Sequence, residues 1–147
     1  MKTKLTIILL FISGSIFAQN VKTEESTYCE ELLAMLEADN KYRSMMDTFE
    51  EQRQGKVYDS LMDLQIEIDN KNTERLLKLV NDKGWPAQKE LNCQPEIFPM
   101  IIFRHSQKKY FSAIAKTIEN ELQQNRITEW EYKFITNHLK GRVQRIN

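Results

Sequence analysis

Helix breakers are scarce in this chain: there are four glycines and three prolines in 147 residues, and four of those seven lie between Gly84 and Pro99. An all-β fold needs turn residues at frequent, regular intervals, so this scarcity argues against one. Histidine is just as scarce, with His105 and His138 the two present. A zinc centre needs three or four ligands, which two distant histidines do not supply. The chain has no glycine-rich phosphate loop, paired-cysteine zinc spacing, His-Glu-x-x-His or nucleophile elbow. Neither a metal nor a cofactor is expected. Charge of a single sign is missing too, since 21 basic side chains face 21 acidic ones. A nucleic-acid footprint needs a basic patch, so no nucleic-acid partner is expected.

Long apolar runs are also absent, apart from Leu5 to Phe17, which follows Lys2 and Lys4 and precedes Ala18 and Gln19. That is the layout of a secretory signal peptide, and roughly a dozen apolar residues fall short of the about 20 that span a membrane. The expected organisation is a signal peptide at 1–18 and a helical domain at 19–147, exported to the periplasm or secreted, with no membrane span once the signal is removed. No cysteine follows Ala18 directly, so no lipid anchor is expected there. Loss of Lys2 and Lys4 takes the basic count from 21 to 19 against 21 acids, about −2. No helix of the remaining chain joins a lysine-rich face to a broad apolar one, which disfavours a membrane-surface module.

Two cysteines are present, Cys29 and Cys93. In an oxidising compartment an even count favours a disulfide, which would tie the first helix to the loop after Gly-Trp-Pro; two free buried thiols are the alternative.

What the chain does have is helical periodicity. Thr27 and Glu30 form a capping box ahead of Tyr28, Leu32, Met35, Tyr42, Met46 and Phe49, one apolar stripe in which Asp39 is the single polar member. A second tract carries Val57, Leu61, Leu64 and Ile68, is interrupted around Asp69-Asn-Lys-Asn-Thr73, and resumes with Leu76, Leu77, Leu79 and Val80. Gly84 is placed to close it in the left-handed conformation, with Pro86 barring its continuation. Pro95 or Pro99 can open the next helix. Met100 to Phe103, apolar on all sides, predicts a central buried element. Tyr110, Phe111, Ile114, Ile118 and Leu122 mark an amphipathic helix, and a capping box of Thr128 and Glu131 opens a last one with Phe134, Ile135, Leu139, Val143 and Ile146. The expected fold is an all-α, single-domain bundle of about five helices.

A short set of residues could carry chemistry. His138 lies beside the apolar face and reads as a packed core histidine. His105 ends the buried run ahead of Ser106, a natural cap for the following helix. It is either bonded to backbone at a helix end or a group whose charge changes near neutral pH in a site. Asp39 and Arg43 are four residues apart, within reach of each other on one helix. A carboxylate on an apolar stripe is costly to bury alone, so Asp39 needs Arg43 or a partner from another helix, as an ion pair or as part of a ligand site. Trp85 is either a plug for the core or a binding surface.

Four segments occur in a suggestive order: Met35-Leu-Glu-Ala-Asp39-Asn40-Lys-Tyr-Arg43, Asp69-Asn-Lys-Asn72-Thr73, Gly84-Trp85-Pro86 and Phe103-Arg104-His105-Ser106. Together they resemble a bacterial all-helical family of unknown function, whose members carry Asp-Gln-x-x-Arg, Asp-x-x-Asn-Thr, Gly-Trp-Pro and Gln-His-[Ala/Ser]-Asp in that order. The resemblance covers residues 28–143 and implies that Asp39, Arg43, Asn72, Trp85 and His105 share one polar pocket. The chain departs from the pattern at Asn40, Arg104 and Gln107. Gly141-Arg142 stands where the family has Asp-Arg, and the Tyr-Gly-Thr-Gln ending is missing.

These readings lead to two expectations for function. The first is an exported binding or interaction module for a protein or small-molecule ligand, with Arg43, Asn72, Trp85 and Arg142 as binding residues. The second is a hydrolase-like enzyme in which His105, oriented by Asp39, is the general base and Arg43 or Arg142 holds an anionic substrate group.

Overall fold

A computed structural model describes residues 15–47, 55–87 and 93–141, with side chains from Tyr28 onward in the first helix. Most of the expected signal segment, Phe49, Arg142, Val143 and Ile146 lie outside the described residues. Within them the chain forms five α-helices: α1 (Ser15–Asp47), α2 (Lys56–Lys83), α3 (Met100–Arg104), α4 (Phe111–Gln123) and α5 (Glu129–Leu139), with a 3-10 turn at Lys108–Tyr110. No strand occurs among the described residues. The bundle is all-α, with one core fed by every helix: Leu32 and Met35 from α1, Leu76 and Val80 from α2, Ile102 and Phe103 from α3, Ile114 and Ile118 from α4, and Phe134 and Ile135 from α5.

The two long helices run antiparallel, because rising positions on one meet falling positions on the other. Tyr28 donates to the Gly84 carbonyl at 3.3 Å, the Asn72 side chain donates to the Met35 carbonyl at 2.7 Å, and the Tyr42 amide donates to Gln65 Oε1 at 3.2 Å. The apolar stripe of α1 forms as its spacing predicts, with Tyr28, Leu32, Met35, Asp39 and Met46 all buried. Its start is different. Thr27 lies inside α1, not at its head, because Gln19 to Ser26 contain no breaker and a capping pair does not oblige a helix to begin there.

In α2 the expected interruption at Asp69 to Thr73 does not exist; the helix is continuous from Lys56 to Lys83. Its buried face carries Leu61, Gln65, Asp69, Asn72, Thr73, Leu76, Leu79 and Val80, while Val57 and Leu64 are exposed. The run looked like a break because its polar residues replace leucines on the inner face. They remain there because each is hydrogen-bonded: Thr73 Oγ1, for one, donates to the Asp69 carbonyl at 2.7 Å.

Gly84 ends α2 at φ 88° and ψ 175°, donating its amide to the Val80 carbonyl. Only glycine takes that conformation readily, and a Cβ there would sit 2.9 Å from Arg126 Nε. Pro99 directly precedes α3, whose Met100, Ile102 and Phe103 are buried as the all-round apolar run predicts. Ser106 does not cap the next helix. Its hydroxyl turns back to the Phe103 carbonyl at 2.7 Å, and the 3-10 turn starts one residue later, after Gln107. The capping box of Thr128 and Glu131 opens α5 as its pattern requires.

Cys29 and Cys93 are joined in a disulfide with their Cα atoms 5.5 Å apart. The bridge fastens α1 to the segment beyond Gly84-Trp85-Pro86. Trp85, 2% exposed, plugs the end of the core against Phe103, with ring centroids 5.9 Å apart. Its amide donates to Glu121 Oε2 at 2.8 Å and its indole to Glu131 Oε1 at 3.0 Å, so one residue anchors to both α4 and α5.

Candidate functional site

Asp39, Arg43, Asp69 and His105 meet where α1, α2 and the end of α3 come together. Asp39 is 1% exposed. Both its carboxylate oxygens face His105 Nδ1, at 2.8 and 2.9 Å. A carboxylate accepts, so Nδ1 carries a proton, and in the neutral ring the lone pair resides on Nε2. Arg43 lies on the other side, its Nε 3.6 Å from Asp39 Oδ2. Its stronger partner is Asp69, both of whose oxygens accept from Nη2 at 2.7 Å. Gln65 locks the far side, donating to Asp69 Oδ1 at 2.8 Å.

The local folding reasons are plain. Asp39 and Arg43 are one turn apart on α1, as are Gln65 and Asp69 on α2, so each helix offers a polar pair to the other. His105 is the first residue beyond α3, at φ −93° and ψ 0°, with its amide still bonded to the last turn of the helix. That bridge-region backbone swings its ring toward α1 while Phe103 remains in the core.

Both carboxylates are buried and hydrogen-bonded, but the outer edge is partly exposed. His105 is 26% exposed at its side chain and Arg43 29%. Nε2 of His105 and Nη1 of Arg43 make no hydrogen bond among the described residues, and Arg43 Nε is buried with no hydrogen-bond partner. The centre thus has an anionic, sealed interior and an open edge of one acceptor-or-donor nitrogen beside a guanidinium. Among the described residues no three histidine, cysteine, aspartate or glutamate side chains are grouped to hold a metal ion.

The nominated residues separate into two groups. Asp39, Arg43 and His105 converge; Asn72 stands beneath them, holding the Met35 carbonyl one turn before Asp39. Trp85 belongs to the core instead, and Arg142 lies outside the described residues. Asp69 and Gln65 join the site without having been nominated as site residues, although polar side chains in the middle of an apolar stripe are the same signal that singles out Asp39. The sequence pattern does not single out Glu121 either, whose buried carboxylate accepts from Nε and Nη2 of the partly exposed Arg126 at 2.7 and 2.6 Å. Elsewhere an open groove of about 860 Å³ runs past Phe98, Ile127 and Trp130, and none of the residues of the polar centre line it.

His138 sits half-buried near His105, its ring edge-on to Phe111 at 5.3 Å and its Nε2 3.4 Å from the Ser106 carbonyl. Burial pushes its imidazole below the usual 6.5, with His105 and Arg104 acting in the same direction and the Ser106 carbonyl opposing. At Glu121 burial acts upward, but Arg126, the Trp85 amide and Asn120 together hold the carboxyl below 4.5. Both folded values lie below the unfolded ones, so the unfolded chain takes up protons first as pH falls. Stability should therefore decline in acid in two stages, the first beginning below about pH 6.5 and the second below about 4.5. Urea denaturation across pH 3–8 checks this, and His138→Gln should flatten the first stage alone.

No protein-family model, no curated protein and no solved structure matches this chain.

Proposed function

We propose that the chain is an exported helical binding module whose ligand, a small molecule or a group on a partner protein, is taken up at the open edge of the Asp39–Arg43–His105 centre. One observation carries this reading: an imidazole held at Nδ1 by a buried carboxylate, in a side chain that is still a quarter exposed. Such an arrangement costs desolvation of charge and is not needed to fill space. Three of the four segments that carry the resemblance to the helical family of unknown function supply the cluster and its supports, and the fourth, with Trp85, does not. Export is supported by the N-terminal layout and is compatible with the disulfide. No helix among the described residues is long and apolar enough to cross a membrane.

A hydrolase-like reading draws on the Asp39–His105 contact, which is the geometry of an oriented general base. The adjacent Ser106 hydroxyl is committed to the Phe103 carbonyl and 5% exposed, so the base would have to act on water.

A fragment screen read from the side-chain NMR signals of His105 and Arg43 tests the binding reading. Fragments should shift both signals and lose their effect in His105→Ala. Hits confined to the groove at Phe98 and Trp130 would count against it. Ester or phosphoester turnover that disappears in a folded His105→Ala chain would transfer the assignment to the hydrolase-like reading.

A further inference from the structure

The ligand's charge can be read from which groups of the centre remain available. Both carboxylates are buried and their oxygens taken, Asp39 by His105 and Asp69 by Arg43 and Gln65. Their side chains are only 2% and 5% exposed, so a cation arriving at the surface does not reach them. Nη1 of Arg43 and Nε2 of His105 make no hydrogen bond among the described residues, in side chains 29% and 26% exposed, while Arg43 Nε is turned to Asp39 Oδ2 at 3.6 Å.

Three basic side chains lie close together in sequence on the segment that carries His105. Arg104 at the end of α3 lies over the Phe134 ring at 5.1 Å, and the following turn exposes Lys108 and Lys109. His138 of α5 packs on the same segment, its Nε2 3.4 Å from the Ser106 carbonyl. From α1 the ring faces Asp39 and Arg43, and from α2 Asp69 stands behind Arg43. Glu74 of α2 accepts from Tyr110 of the same turn.

From these groups, and resting on the binding reading above, we infer that the edge of the Asp39–Arg43–His105 centre is a proton-coupled site for a small oxyanion, a carboxylate or a phosphate. The guanidinium edge matches an oxyanion's geometry and charge. Nε2 decides the coupling. As a lone pair it repels an anionic oxygen; with a proton added from solvent it becomes a second donor beside Arg43, while Nδ1–H remains on Asp39. The anion therefore binds the imidazolium form, and each anion bound to a neutral ring brings in one proton.

The test uses the mature protein with sodium acetate and sodium sulfate, neither of which changes charge near neutral pH, so that any pH dependence belongs to the protein. Saturable shifts of the His105 and Arg43 side-chain signals are expected. Affinity should weaken by about tenfold per pH unit once the ring is neutral, and calorimetry in buffers of different ionisation enthalpy should show uptake of up to one proton per anion. Arg43→Lys and His105→Gln should each lower affinity about tenfold or more, and Lys108→Gln/Lys109→Gln by a smaller, salt-dependent factor. An anion that binds with no pH dependence overturns the proton coupling. If a neutral or cationic fragment shifts His105 while both anions leave it unmoved, the oxyanion assignment fails and the binding reading stands. If no probe moves either signal, both fail. Binding to phosphatidylglycerol vesicles with neither salt effective overturns the small-oxyanion site in favour of a membrane surface.

Discussion

Replacing both Cys29 and Cys93 by alanine is expected to lower the unfolding free energy by up to about 4 kcal/mol, the chain-entropy value for a closed loop of this length. The bridge spans 64 positions, most of α1 and all of α2. Without it the unfolded ensemble regains the freedom of that whole stretch. The native state also loses its fastening between α1 and the segment leading to α3, where Cys93 is 5% exposed. Urea denaturation of the oxidised chain against the double variant measures the difference. A loss below about 1 kcal/mol would mean that the helical hairpin already restrains the unfolded chain.

The second large effect is expected at Asp69→Ala, about 3 kcal/mol, toward the lower end of what breaking a buried ion pair costs. Arg43 would lose both short contacts on Nη2, and Gln65 would lose its acceptor. The partial exposure of Arg43 keeps the loss from being larger, since water can reach the guanidinium. The cycle with Arg43→Met separates pair from penalty: the double variant should be closer to wild type than Asp69→Ala alone, because no guanidinium is left without Asp69 while Asp39 keeps its bond to His105. Thermal or urea denaturation of the three variants reads this directly. Equal losses in Asp69→Ala and the double variant would show that Arg43 finds water without cost.

Much of this fold is written in local pattern, and the site less so. Gly84 and Pro86 end α2 because backbone conformation at a breaker is a local matter. The stripe from Tyr28 to Met46 forms because periodicity alone decides which face is buried. Thr27 misled because a cap is a local option that a longer helix can override. The segment at Asp69 to Thr73 misled for a different reason: single-residue hydrophobicity cannot distinguish a polar break from a polar network that satisfies itself across two helices. Asp39 stood out as needing a partner, and His105, 66 residues away, entered only through the hydrolase-like expectation and the family resemblance, because nothing local says which way a residue past a five-residue helix will turn.

The polar contacts along α1 and α2 have a consequence beyond the energy of each. Apolar faces tolerate sliding, since leucine packs against leucine at many offsets. Here Tyr28 reads Gly84, Glu31 reads Arg75, Asn72 reads Met35, and Arg43 reads Asp69. A displacement of one helical turn, about 5.4 Å, would unmake all four at once and leave buried charge without a partner. The helix pair is indexed like a vernier, with one alignment permitted, and that alignment is the one that delivers Asp39 to the histidine.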